Sequence, residues 1–379
     1  MIAARRTDAI LLIVTLMLVT LGLVMVYSTS AVVAHERYHD SFYFLKRQLG
    51  WAAVGCVAMW VAWHVPYRVQ QRLVPPLVGC VLVALLLVFV PGLGKEVGGA
   101  RRWIMIGPLS FQPSEFAKYI LLVYAAGAFS GQLRGRPRGS NGYGLHLCLL
   151  GVFCGLIFIQ PDLGTAVVLA SAVGLQLLIA GLPWRYLGYS LVAVLPLFIW
   201  GIVHEPYRLG RLMNFLNPSD DPQGGGYQAL QSLLALGHGG VVGTGLGRGQ
   251  QKLFYLPEAH TDFIFAALGE ELGFVGAGGL VLLFLVLLWR VLRIALRCAE
   301  PFGALLGIGV FLMLAVQILI NLGVVVGLLP TKGLPLPFIS LGGSNLCISL
   351  LAIGTMLNVA QEASRHPGRP LHAPSVRRG

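Results

Sequence analysis

Residues 9–26 read AILLIVTLMLVTLGLVMV, eighteen positions without a charge. As a helix this run is about 27 Å long, close to the hydrocarbon thickness of a bilayer. Arg5 and Arg6 precede it, so a cleaved leader has to be weighed. The apolar character continues to Val33 and no A-x-A site follows, so the run reads as a retained membrane helix.

The rest of the chain repeats the pattern. Mean hydropathy is +0.77, with 56% hydrophobic and 11% charged residues over 379 positions. That is far from a soluble composition. The predicted spans are 9–33, 48–65, 73–91, 113–130, 145–160, 163–181, 185–203, 266–289, 302–327 and 340–361. The expected fold is an all-α, polytopic integral membrane protein of about ten transmembrane helices. It forms one domain over 1–363, followed by a basic tail, 364–379, of disordered composition. Six cysteines without a C-x-x-C pair read as small buried hydrophobes. The pairs Gly151/Gly155, Gly303/Gly307 and Gly323/Gly327 read as helix-packing contacts.

Charge orients these spans. With the N-terminus in the cytoplasm, fifteen of the 27 basic residues face inward, with only three acids, Asp8, Glu300 and Glu362. The whole net charge of +12 then lies on one face, as the positive-inside rule expects. This explains the basicity without nucleic acid, which is excluded as a partner; the same residues can touch anionic lipid. Both termini are predicted in the cytoplasm, and the segment 204–265 becomes a long extracytoplasmic loop.

Four stretches break the apolar pattern, all toward that outer face. The first, RRWIMIGPLSFQPSEFAK (101–118), carries Arg101 and Arg102, Trp103 at headgroup level, and Glu115 with Lys118 three residues on. That last spacing allows an ion pair within a span. It reads either as structural or as the wall of a polar cavity. In QPDLG (160–164), Gln160 and Asp162 sit at a turn between two spans. In LLPTKGLPLPFISLGGSN (328–345), prolines 330, 335 and 337 and glycines 333, 342 and 343 exclude a straight helix. Lys332 is the cation there and Ser340 its hydroxyl neighbour. The fourth, LPEAHTDFIFAALGEELGF (256–274), gathers Glu258, His260, Thr261, Asp262, Glu270 and Glu271 at the start of a span. The glycine-rich GHGGVVGTGLGRGQ (237–250) lacks the strand-to-helix setting of a phosphate loop and reads as a flexible connection.

Sugar transfer from a lipid-linked diphosphate would use such a face. A diphosphate leaves without a protonating acid, so one carboxylate acting as base suffices, unlike the two that flank a bond in glycoside hydrolysis. Arg101, Arg102, Lys332 or a divalent cation could stabilise the departing phosphates; metal use stays open, and no other cofactor is indicated. A transporter of lipid-linked precursors also fits broken helices around a polar cavity.

GARRWI…FQPSEFAK, QPDLGTA, KLFYLPEAHTDFIFAALGEELG and LLPTKGLPLPFISLGGSN together resemble the signature segments of the SEDS family of peptidoglycan polymerases, over about residues 7–362. DSFYFLKRQ (40–48) resembles the division branch more than the elongation branch. The resemblance implies a ten-helix glycosyltransferase that uses lipid II and an undecaprenyl-linked glycan chain at the outer face of the cell inner membrane. It implies a class B penicillin-binding protein as transpeptidase partner, other divisome membrane proteins and a place at the septum. By position it makes Asp262 the catalytic aspartate. Glu115, Lys118 and Asp162 match polar positions of the family's cavity. Arg101, Arg102, Trp103, Gln160, His260, Thr261, Lys332 and Ser340 are then candidates on the substrate side, and Glu258, Glu270 and Glu271 candidates for charge tuning or cation binding. Two positions depart from the family pattern. Gly99 replaces a frequent asparagine, and Leu341 a frequent tyrosine.

Overall fold

The computed structural model describes residues 8–97, 100–106, 109–131, 141–204, 226–251, 259–331 and 333–365, together with 210, 213 and 215. Glu258, Lys332, Gly99 and the tail beyond Arg365 lie outside the described residues.

Ten helices occupy the ten expected spans: α1 (Ala9–Tyr38), α2 (Tyr43–His64), α3 (Tyr67–Leu87), α4 (Pro113–Phe129), α5 (Asn141–Ile159), α6 (Leu163–Ile179), α7 (Trp184–Val203), α9 (Ile264–Arg297), α10 (Pro301–Val325) and α11 (Gly343–Arg365). Among the described residues, α1, α3, α9, α10 and α11 are long and apolar enough to cross a membrane on their own composition. The chain passes up and down between two ends. One end carries the short connections at 65–66, 180–183 and 298–300, with Arg68, Arg185 and Arg297; the other carries Asp262. Asp8 caps α1 by accepting from Leu11 N at 3.1 Å, and His39 closes that helix in the left-handed region.

Two elements were not foreseen. A three-stranded antiparallel sheet, β1 (Gly94–Val97), β2 (Ala100–Ile106) and β3 (Leu109–Phe111), covers the Asp262 end before α4. Register pairs Glu96 with Arg101 and Ile104 with both Gly94 and Phe111. Within the stretch expected to be a long loop, α8 (Tyr227–Gly239) packs on α9 and α10, and Ser232 Oγ donates to Val325 O at 2.7 Å.

Small residues set the closest helix approaches, though not all those expected. Gly303 and Gly307 lie against Tyr67, Cys298, Ala295 and Met356, but a Cβ on Gly151 or Gly155 would meet nothing within 4 Å. A close seam joins α2 and α11: Gly343 faces the Trp51 ring, and a Cβ on Gly354 would overlap the Met59 carbonyl. Backbone cannot yield as a side chain can. Gly354→Val is therefore expected to lower folded yield and melting temperature in a detergent thermal-unfolding assay. Gly151→Ala should leave both unchanged or slightly raised, since alanine is the better helix former by up to about 1 kcal/mol.

Candidate active site

Asp262 sits two residues before α9, half-buried, and its backbone is held in place. Three successive carbonyls are each held by a donor. Leu341 N donates to His260 O at 3.0 Å, Ser340 Oγ to Thr261 O at 2.5 Å and Asn321 Nδ2 to Asp262 O at 2.9 Å. The irregular segment 333–341, together with Asn321 of α10, thus serves as a brace beside Asp262. The segment is itself pinned: Asn321 Nδ2 also donates to Leu334 O at 2.7 Å, Gln317 Nε2 to Pro335 O at 2.8 Å and Gln48 Nε2 to Ser340 O at 3.1 Å. Gly22 lets α1 touch the backbone at Phe338 and Ile339. Because Leu341 acts through its N–H, its departure from the family's tyrosine leaves this brace intact.

Behind the brace lies the ion pair. Lys118 Nζ stands 3.0 Å from Glu115 Oε2, and both residues are 1% exposed. Lys118 also donates to Gln317 Oε1 at 2.8 Å, and Asn345 Nδ2 donates to Glu115 Oε2 at 2.8 Å. Glu115, Lys118, Gln317 and Pro335 therefore form one hydrogen-bonded chain from α4 through α10 to the brace.

Asp162 is buried at the N-cap of α6, where its Oδ1 accepts from Thr165 N at 3.3 Å. Its other oxygen accepts from Gln112 Nε2 at 3.0 Å and Ser114 Oγ at 3.1 Å. Arg102 Nη1 approaches it at 3.9 Å, while the same guanidinium donates to Gln160 O at 3.3 Å and to Pro161 O. Gln160 is buried too and donates to Leu85 O at 2.8 Å.

Of the two neighbouring arginines, Arg102 rather than Arg101 approaches Asp162 and Gly333, and the cause is strand alternation. Successive side chains on β2 point to opposite faces. Arg102 turns toward Asp162, whereas Arg101 pairs with Glu96 at 3.2 Å, both more than half exposed. Trp103 shares the face of Arg101. Gly333, at φ 66°, is where the two halves of the site converge. A Cβ there would lie 3.4 Å from Asp262 Oδ2 and 3.9 Å from Arg102 Nη1. The absent side chain leaves a space bordered by a carboxylate and a guanidinium. A narrow crevice lined by Asp262, Phe263, Asn321, Val324, Gly333 and Leu334 adjoins it.

His260 lies 5.1 Å from the Phe44 ring, at the start of α2. Glu270 and Glu271 face elsewhere. Both are buried one turn and more into α9, just before Gly273 breaks the helix at φ 66°. Glu270 accepts from Gln250 N at 2.8 Å and Gln251 N at 3.2 Å. Glu271 accepts from Gly247 N at 3.1 Å and from Ser28 Oγ at 2.7 Å. The glycine-rich segment expected to be flexible is thus tied down; Thr244 N and Gly245 N also bond the Glu270 and Glu271 carbonyls at 3.0 Å. Among the described residues no three His, Cys, Asp or Glu side chains cluster as metal ligands.

A carboxylate beside a guanidinium can take a proton from a hydroxyl while the cation steadies a developing anion. The chain as a whole is similar to several known proteins. The Probable peptidoglycan glycosyltransferase FtsW of Geobacter metallireducens is 44% identical over 97% of both chains. The Stage V sporulation protein E of Bacillus subtilis is 42% identical over 93% of this chain and 97% of its own. Among solved structures, a chain from a peptidoglycan synthase complex that coordinates polymerization and crosslinking superposes with a TM-score of 0.76. It is 33% identical and covers 95% of this chain and 99% of its own. The Thermus thermophilus Rod shape determining protein RodA follows at 0.69, with 32% identity over 94% and 97%. The model of the cell cycle protein family FtsW/RodA/SpoVE matches residues 8–365, and the chain belongs to that family.

Proposed function

We propose that this protein is a peptidoglycan glycosyltransferase that polymerises lipid II at the outer face of the cytoplasmic membrane, for septal wall synthesis in cell division. The observation that carries the reading is the convergence of Asp262 and Arg102 on the space beside Gly333, in a chain whose relatives include probable FtsW glycosyltransferases.

Asp262 takes the proton from the 4-hydroxyl of the acceptor's N-acetylglucosamine. The freed oxygen attacks the anomeric carbon of the donor chain, and the carbon–oxygen bond to undecaprenyl diphosphate breaks with its electron pair on the diphosphate. Arg102 offsets the charge that builds there; Lys332, next to Gly333 in sequence, is a second cation suited to that task. Glu115 and Lys118 act at a distance by holding the brace. The partner that crosslinks the product is a class B penicillin-binding transpeptidase. The related synthase complex, which coordinates polymerization with crosslinking, supports this assignment.

This chemistry requires Asp262 outside and both termini inside, the orientation that the one-sided charge favours. Single cysteines at Gly225 and Gly139, in a variant with the six native cysteines replaced, test it on intact cells. Gly225 is expected to react with an impermeant thiol reagent and Gly139 only after permeabilisation. Labelling of both from outside would refute the orientation and the reading with it.

A further inference from the structure

At the end of the bundle opposite Asp262, a groove of about 580 Å³ opens between the first turn of α1, the last turns of α9 and the last turn of α11. Asp8, Ile10, Arg290, Ile294, Arg297 and Ser364 are among its lining residues. The catalytic reading uses none of them. We infer that this groove binds the phosphate-bearing headgroup of an anionic phospholipid.

Charge is the first reason. Two arginines line the groove against one acid, and that acid is already answered: Arg290 Nε stands 3.2 Å from Asp8 Oδ1, with a second contact from Nη2 to Oδ2. Arg297 is exposed and makes no ion pair among the described residues, so its guanidinium is available to a phosphate. Depth is the second reason. Three helix ends meet here, so the groove lies at the rim of the apolar bundle. Trp289, 52% exposed, sits beside it with Arg290 and Arg293 over its ring at 5.3 and 5.1 Å. An exposed tryptophan flanked by arginines marks the headgroup boundary. Shape is the third. Ile10, 46% exposed, and Ile294 give the groove an apolar side for an acyl chain beneath the charged rim. Basic pockets between membrane helices on the cytoplasmic side suit anionic headgroups. The chain's own C-terminal segment is a poor occupant, because it carries Arg369, Arg377 and Arg378 and no acid.

Native mass spectrometry of the full chain in neutral detergent tests the inference. The probes are phosphatidylglycerol and phosphatidylcholine of matched acyl chains, offered together. The wild type is expected to retain phosphatidylglycerol preferentially. Arg297→Gln, at an exposed position, should weaken that preference about five-fold, the worth of one basic residue at a headgroup. Asp8→Asn preserves the helix cap and frees Arg290 of its counter-charge, so the preference should rise. Equal retention of both lipids by the wild type, or an unchanged preference in Arg297→Gln, would overturn the inference. Uptake of inorganic phosphate with no preference between the lipids would assign the groove to a soluble phosphate and would also overturn it.

Discussion

Asp262→Asn is expected to cut glycan chain formation at least ~10²-fold per correctly inserted molecule, the usual worth of a general base. The substitution keeps size and hydrogen-bonding capacity and removes basicity. Fold should survive, because the brace's bonds to the carbonyls of His260, Thr261 and Asp262 do not depend on the carboxylate's charge. Size-exclusion elution in detergent and retention of the transpeptidase partner should therefore match the wild type. The same exchange at Asp162 makes the contrast. Asn can still cap α6 there, but Arg102 would lose the carboxylate it approaches at 3.9 Å. Near-normal polymer from Asp262→Asn would eliminate it as the base and leave Asp162 as the next carboxylate to test.

The second large effect belongs to Lys118. Lys118→Met strands Glu115 at 1% exposure and leaves Gln317 Oε1 without its donor. Losing one partner of a buried pair costs about 3–5 kcal/mol, a large share of the stability of a typical domain. Folded yield and polymerisation should both fall sharply. The double exchange Glu115→Lys with Lys118→Glu separates the two losses. Asn345 can rotate its amide to present oxygen to a lysine at 115. Gln317 would have to rotate as well to serve a glutamate at 118, and that rotation gives up its bond to Pro335 O. Yield should recover more than activity. Equal, full recovery of both would mean that the link from Gln317 to the brace does not matter for catalysis. Full activity in Lys118→Met would remove the pair from the account altogether.

The ten spans were legible because bilayer thickness dictates a length that composition alone reveals. Asp162 was legible as a turn residue for a similarly local reason. What stayed hidden depended on partners far away in the chain. Glu270 and Glu271 looked like charge near Asp262, yet they bond Gln250, Gly247 and Ser28. Nothing in their local sequence specifies those donors. The split between Arg101 and Arg102 required strand alternation in a stretch read as an interfacial segment. Gly98–Gly99 and Gly107–Pro108, flanking the seven residues of β2, were the available signal for a hairpin. Helix α8 was missed because thirteen residues are too few for a span and the segment was taken whole as a loop. The α2–α11 seam turns on single glycines, Gly343 and Gly354, that do not share the four-residue spacing by which packing glycines were sought.

The most direct measurement is polymerisation itself. The purified protein, bound to its transpeptidase partner, is incubated with labelled lipid II and the products are resolved on a gel. The account predicts a ladder of glycan chains that lengthens with time as undecaprenyl diphosphate is released. Unreacted lipid II from folded, partner-bound protein would contradict it, and would return the chain to the transporter reading of its broken helices.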